Sequence, residues 1–360
     1  MRVIPLAKPQ ITRSERAAVN RVLKSLNMAQ GPEVANFEKE FSRFVEDREC
    51  VAVNSGTSAL HLCLIALGIG PGDEVIVPSF TFAATANVVS LVGAKPIFVD
   101  IDPRTYCLDP KLIEDAITVK TRAIIVVHLY GLPADMQSIC RIADKNSLLV
   151  IEDAAQAHIA SIDGKPVGTF GDAAAFSFYP TKNMTSGEGG MAVLRESSSA
   201  RVCRLLRNQG MEKRYQNEIA GFNLRMTDIH AAIGRVQLRK LPKMTEKRIK
   251  NADYLSTNLA TDTVPFVQHG FKHVFHQYTV RIKSGREEFS RKLHEYGIGN
   301  DVYYPTQVHM LPSFNAGFEL PETLAATQQV LSLPVHPGLS SRDLGKIVSK
   351  FNKLIEERGS

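Results

Sequence analysis

Hydrophobic and polar positions alternate in blocks from about residue 50 to residue 195. Short apolar, β-branched runs at 50–53, 75–77, 97–99, 123–127 and 148–151 read as buried strands. Helix-length stretches separate them. Residues 58–67 place Leu60, Leu64 and Leu67 at helical spacing, and 83–91 carry a similar pattern. This β-α alternation predicts an α/β fold with a mostly parallel central sheet and helices on both faces. Two amphipathic helices are predicted before the sheet. One starts near Thr12 or Ser14; the other sets Val34, Phe37, Phe41 and Phe44 on one face. The sheet or a second subunit would cover them. After Leu238 the texture changes. Residues 240–259 read as a long basic helix, 278–282 as an alternating strand and 286–296 as a helix. A last helix, 340–357, turns Leu344, Ile347, Val348, Phe351, Leu354 and Ile355 inward. The expected organisation is a large domain, 1–239, and a smaller α+β domain, 240–360.

A chain of 360 residues with 44% hydrophobic content can bury full cores in two such domains. It holds no apolar run of membrane-spanning length. The first nine residues lack a long apolar segment, so no signal peptide is expected. Cys50, Cys63, Cys107, Cys140 and Cys203 are scattered, which predicts core thiols in a reducing cytoplasm and neither disulfides nor a zinc site. The net charge of +6 is spread along the chain, with a cluster at 240–250. No nucleic-acid motif accompanies it. The charge reads as a solvated basic face, or as attraction for an anionic substrate such as a nucleotide diphosphate.

Ligands of a parallel sheet bind beyond the carboxyl ends of its strands. Asn54-Ser55-Gly56-Thr57, Pro78-Ser79-Phe80-Thr81-Phe82 and Asp153 all fall there. Farther on, an apolar run leads through Ser177 to a turn at Tyr179-Pro180-Thr181, then Lys182, then Gly187-Glu188-Gly189-Gly190 before a strand at 191–193. These are the parts of a pyridoxal 5′-phosphate (PLP) site: an amine, an acid for the pyridine nitrogen and hydroxyls for the phosphate. Most lysines are solvated surface charges, so Lys182 carries meaning only through its flanks. Asp153 would keep the pyridine nitrogen protonated, although an acid after a strand is also an ordinary helix N-cap. Gln156 follows one turn later and can face the same ring. Ser55-Gly56-Thr57-Ser58 opens a helix whose free N–H groups attract phosphate; a plain N-cap would explain it as well. Ser177 adds a hydroxyl. Phe82 could stack on the ring or serve as core. His158 reads as a core or supporting hydrogen bonder.

With these residues in order, the chain resembles the DegT-type sugar aminotransferases, PLP enzymes of aspartate aminotransferase fold type I. The resemblance runs from Ile4-Pro5-Leu6-Ala7-Lys8-Pro9 through Gly31-Pro32, Asn54-Ser55-Gly56-Thr57-Ser58, Asp100-Ile101-Asp102 and His128-Leu129-Tyr130-Gly131. It continues to Gly221-Phe222-Asn223-Leu224-Arg225-Met226 and Leu333-Pro334-Val335-His336-Pro337. It implies that Lys182 is the Schiff-base lysine, Asp153 the partner of the pyridine nitrogen and Gln156 the side chain against the ring. It implies that Gly56, Thr57 or Ser58, and Ser177 bind the phosphate. Asn223 matches an asparagine that reaches the phosphate from a neighbouring subunit, which implies a homodimer with shared sites. Ile159 departs from the family, where glycine commonly follows the histidine. The implied reaction passes an amino group, from L-glutamate, to a C3 or C4 ketone of a nucleotide-linked sugar. Tyr303, Tyr304 and His309 are expected as exposed sugar contacts, with ordinary loop packing as the alternative. Two rivals are a pyridoxamine-dependent sugar dehydrase, which carries histidine at the lysine position, and a non-catalytic regulatory protein retaining the fold.

Overall fold

The computed structural model describes residues 3–359. Seven strands form the central sheet: β1 (Glu49–Val53), β2 (Glu74–Pro78), β3 (Lys95–Val99), β4 (Thr121–Val127), β5 (Leu149–Asp153), β6 (Ala173–Ser177) and β7 (Gly190–Leu194). Their spatial order is β1-β7-β6-β5-β4-β2-β3. From β3 to β6 every pairing is parallel. β7 alone reverses direction, pairing antiparallel with β6 and β1. The expected strands are therefore present, and the mostly parallel sheet is confirmed.

The sheet is covered on both faces, which is why its strands read as continuous apolar runs. Successive side chains alternate. Val51, Val53, Val75, Val77, Ala173 and Ala175 face α3 (Gly56–Ala66) and α4 (Ala84–Leu91). Ala52, Ala174, Phe176 and Val193 face the opposite side, where α2 (Pro32–Ser42) supplies Val34, Phe37 and Phe41. Each of these α2 side chains is almost wholly buried, worth about 1.5–3 kcal/mol apiece. The second amphipathic helix thus packs on the sheet of its own chain. α1 (Arg13–Ser25) begins where expected, with Thr12 as N-cap and a capping box to Glu15. It packs instead on a later helix, through Ala18 and Val22.

After α5 (Met136–Lys145) and α6 (Ser197–Arg207), that later helix, α7, spans Asp228–Asn258, starting twelve residues before the expected 240. It runs unbroken through position 240. Ala231, Leu238 and Leu241 join the core under the sheet, whereas Ala252 and Leu255 join the C-terminal core. The latter also takes in β8 (Tyr278–Arg281), the antiparallel β9 (Val330–Leu333), α8 (Arg286–Glu295) and α10 (Ser341–Gly359), with α9 (Pro321–Gln329) between the two helices along the chain. Ile4 belongs to this core as well and bridges Ile298.

Asp228, at the start of α7, is nearly fully buried and caps a different helix. Its carboxylate accepts the N–H groups of Gly31 at 2.8 Å, Val34 at 3.0 Å and Glu33 at 3.2 Å, all at the N-terminus of α2. Asp228→Ala leaves those donors unpaired and is expected to cost about 2–3 kcal/mol. Urea unfolding checks this.

Ile159 adopts φ 58°, in the left-handed region. A glycine here would fit that conformation without a Cβ penalty. The isoleucine holds it while packing against the core beneath β6.

Candidate active site

A cavity of about 520 Å³ opens at the carboxyl ends of the strands. Five of the expected residues converge on it from different elements: Gly56 and Thr57 at the start of α3, Asp153 at the end of β5, Ser177 at the end of β6 and Lys182 in the turn beyond. Phe82, Gln156, Tyr303 and Tyr304 also line it.

Strand alternation decides which acid enters. Glu152 and Asp153 are adjacent on β5 and point to opposite faces. Glu152 is fully buried beside His128, at 2.9 Å from its Nε2. The Ala134 N–H donates to His128 Nδ1 at 3.1 Å, so Nε2 carries the ring proton and donates it to Glu152. Glu152 also accepts from the N–H groups of Gly168, Phe170 and Gly171. Burial alone would raise its carboxyl, but His128 and these donors hold it below the usual range. It is therefore a structural staple. Asp153 instead meets the cavity, with its Oδ2 accepting from Thr85 Oγ1 at 2.8 Å and its Oδ1 from the Ala155 N–H at 3.2 Å. Burial pushes its carboxyl above the usual range, against the pull of those donors and of Lys182.

Lys182 is held by its surroundings. Its N–H donates to the Tyr179 carbonyl at 2.9 Å, closing the expected turn. Next to it, Asn183 Nδ2 donates to the Val274 carbonyl at 3.0 Å, and Met184 is buried. Burial pushes the Lys182 amine down to about 8, with the charge of Asp153 opposing. An unfolded lysine keeps its proton to roughly 10.4. Between these values the unfolded chain binds the extra proton, so the stability of the apoprotein rises with pH from about 8 to about 10.4. Below about 8 the penalty of burying the charged amine is fully present. Lys182→Met is expected to flatten that rise, read as the urea midpoint against pH.

The opposite end of the cavity suits an anion. Ser55 is the N-cap of α3, accepting from the Ser58 N–H at 3.1 Å, and the first turn aims its free N–H groups outward. A Cβ on Gly56 would sit 2.8 Å from the Ser177 Cβ, so only glycine lets α3 and β6 approach this closely. The resulting cradle offers backbone N–H groups with the hydroxyls of Thr57 and Ser177. These residues fit PLP: an anion cradle, an acid and a partly deprotonated amine line one cavity of sufficient volume.

Two expected positions need correction. Ser58 does not line the cavity; its hydroxyl turns back to Asn54 Oδ1 at 2.7 Å and lies 2.9 Å from Ser55 Oγ. The helix start consumes it. His309 is fully buried, not an exposed contact. Its Nδ1 lies 2.6 Å from Ser79 Oγ, its Nε2 2.8 Å from the Phe318 carbonyl, and its ring stacks on Phe318. Both nitrogens are spent on packing. Asn223 is exposed, bridges Asn208 and lies outside the cavity of its own chain. His158 is buried against Phe176 and Phe178, as a core residue.

Among the other residues at the site, Thr85, His276 and Gln277 had no signal in the sequence. Thr85 orients Asp153. Gln156 is fixed at both ends, accepting from the Tyr130 N–H at 2.7 Å and donating to the Tyr304 hydroxyl at 2.8 Å. Tyr179, Glu188, His276 and Gln277 complete much of the wall.

The model of the DegT/DnrJ/EryC1/StrS aminotransferase family matches residues 9–352. A pleiotropic regulatory protein of Geobacillus stearothermophilus is 41% identical over 355 residues, 96% of this chain and 94% of its own. GDP-perosamine synthase of Caulobacter vibrioides is 40% identical over 366 residues, 98% of each. Among solved structures, S. venezuelae DesV in complex with a ketimine intermediate has a TM-score of 0.93 and 38% identity, covering 98% of this chain and 99% of its own. Bacillus subtilis NtdA with bound cofactor PMP has a TM-score of 0.88 and 34% identity, covering 96% and 83%. The fold, the cradle, the acid and the lysine therefore have one explanation: the chain belongs to the DegT/DnrJ/EryC1/StrS aminotransferase family, whose chemistry is built on pyridoxal phosphate.

Proposed function

We propose that the protein transfers an amino group from an amino-acid donor, L-glutamate, to a C3 or C4 ketone of a nucleotide-linked sugar. The observation that carries this reading is Lys182 and Asp153 in one cavity with the N-terminus of α3. Gly56, Thr57 and Ser177 would hold the phosphate of PLP, Asp153 its pyridine nitrogen, Lys182 its aldehyde carbon, and Phe82 and Gln156 its ring. Bound there, PLP supplies the electron sink for the carbon that loses its proton. Lys182, with its amine at about 8, is free often enough near neutral pH to accept that proton and return it. Thr85 and Ala155 keep the Asp153 carboxyl aimed into the cavity. Tyr303 and Tyr304, on the cavity wall, would contact the sugar.

Asn223, exposed and outside its own cavity, would complete the phosphate site of a second copy, so the working form is a homodimer with shared sites. Residues 1–239 would act as the large PLP-binding domain and 240–360 as the small one. The nucleotide-linked substrate follows the name of the Caulobacter relative. No helix among the described residues is long and apolar enough to cross a membrane, and the cysteines are free thiols. The free thiols support work in the cytoplasm. A lysine at position 182 argues against the dehydrase, and the intact amine, acid and cradle argue against a purely regulatory role.

The test is a half-reaction screen. The pyridoxamine form, mixed with candidate nucleotide-linked keto sugars, should regain the visible absorption of the pyridoxal form with one of them. A colourless protein that takes up no added PLP would sink the reading.

A further inference from the structure

A second, narrow crevice shares Lys182 and Thr181 with the main cavity and is otherwise lined by different residues, among them Lys8, Asn183 and Arg248. Its open space is about 10 Å³, room for one solvent-sized body. Arg248, on α7, is only 5% exposed. Its guanidinium makes one long donation, from Nη1 to the Phe275 carbonyl at 3.4 Å, and its Nε–H has no acceptor. Thr245, one turn earlier on the same helix, has a buried hydroxyl that is also unpartnered. No acid lines the crevice, and no carboxylate among the described residues pairs with Arg248.

Burial lowers Arg248 to about 10, so it remains a cation at neutral pH. The other titratable groups near it are His158, His276 and His336, each pushed well down by burial and by neighbouring cations, and so neutral. The remaining charged groups in the crevice wall, Lys8 and Lys182, are also basic. A buried cation without a counter-charge is strongly destabilising. The geometry supplies a cationic donor, further positive groups and space for one small body.

We infer that this crevice binds a single monatomic anion, chloride under cellular conditions, held by the Arg248 guanidinium. The ion would neutralise Arg248 and place negative charge near Lys182, strengthening the hold of that amine on its proton. The inference does not depend on the identity of the sugar.

Crystals of the holoenzyme soaked in bromide test it directly. An anomalous peak within contact distance of Arg248 is expected in the wild type and not in Arg248→Met. A water at that point, or the carboxylate of the amino donor, overturns the inference. In solution, replacing gluconate by chloride at constant ionic strength should raise the unfolding midpoint of the holoenzyme by about 2 °C or more. Arg248→Met should lose that chloride-dependent rise. An equal rise in both proteins, or none in the wild type, overturns the inference. If Arg248→Met does not fold, the bromide map of the wild type decides alone.

Discussion

Lys182→Ala is expected to lower transamination by at least about 10³-fold while leaving the protein folded. A positioned acid or base is worth roughly 10²–10⁴-fold. Lys182 would also be the group that anchors the cofactor, so its loss removes two contributions at once. The fold has little reason to fail. The turn is held by the Tyr179 carbonyl, Asn183 and buried Met184, none of which needs the amine. Removing a buried cation should leave the apoprotein as stable, or slightly more so, below pH 8. Stopped-flow half-reactions check the rate, and the purified variant should lack the yellow colour of the wild type. Partial rescue by added methylamine would identify the missing function as that of a free amine. Activity within about tenfold of the wild type would exclude Lys182 as the central base.

The second large effect is expected from Asp153→Asn, a loss of about 10²-fold or more in rate. The side chain keeps its shape but loses the charge that would hold a proton on the pyridine nitrogen, an interaction of the charge-assisted class. Thr85 and the Ala155 N–H now donate to the carboxyl oxygens. An amide offers only one oxygen, so one of those donors also loses its acceptor. The phosphate cradle at Gly56 and Ser177 is left intact. Cofactor affinity should therefore change less than the rate, a split that equilibrium dialysis and single-turnover kinetics would separate. Equal losses in both would mean that Asp153 serves only to hold the cofactor.

The strands were legible because the sheet is buried on both faces, so its runs are continuously apolar. Strand direction is a different matter. Nothing in Gly190–Leu194 marks β7 as the one reversed strand. The early start of α7 was hidden by Gly234, which weakens the helical pattern. Its reason is packing: a Cβ there would lie 2.8 Å from the Phe37 ring. The main site residues were readable because Lys182, Asp153 and Gly56 each sit in a short local motif. Ser58 lies in such a motif too, but its hydroxyl serves the helix start. His309 was misplaced because a polar residue in a loop reads as solvated, whereas its partner Ser79 comes from 230 residues away. Thr85, His276 and Gln277 carry no local signature; the tertiary fold alone brings them to the cavity.

The cap that Asp228 places on α2 also sets a timetable for biosynthesis. Gly31 and Asp228 are 197 residues apart, which at roughly 5–20 residues per second is about 10–40 s of translation. For that interval the start of α2 has no carboxylate, and Phe37 and Phe41 have no Leu238 or Leu241 to pack against. β1 waits about 70% as long for β7, and Ile4 longer still for Ile298. The N-terminal fifty residues are made first and wait for partners made much later. Shielding of these residues on the ribosome during that wait should therefore matter for the yield of this protein.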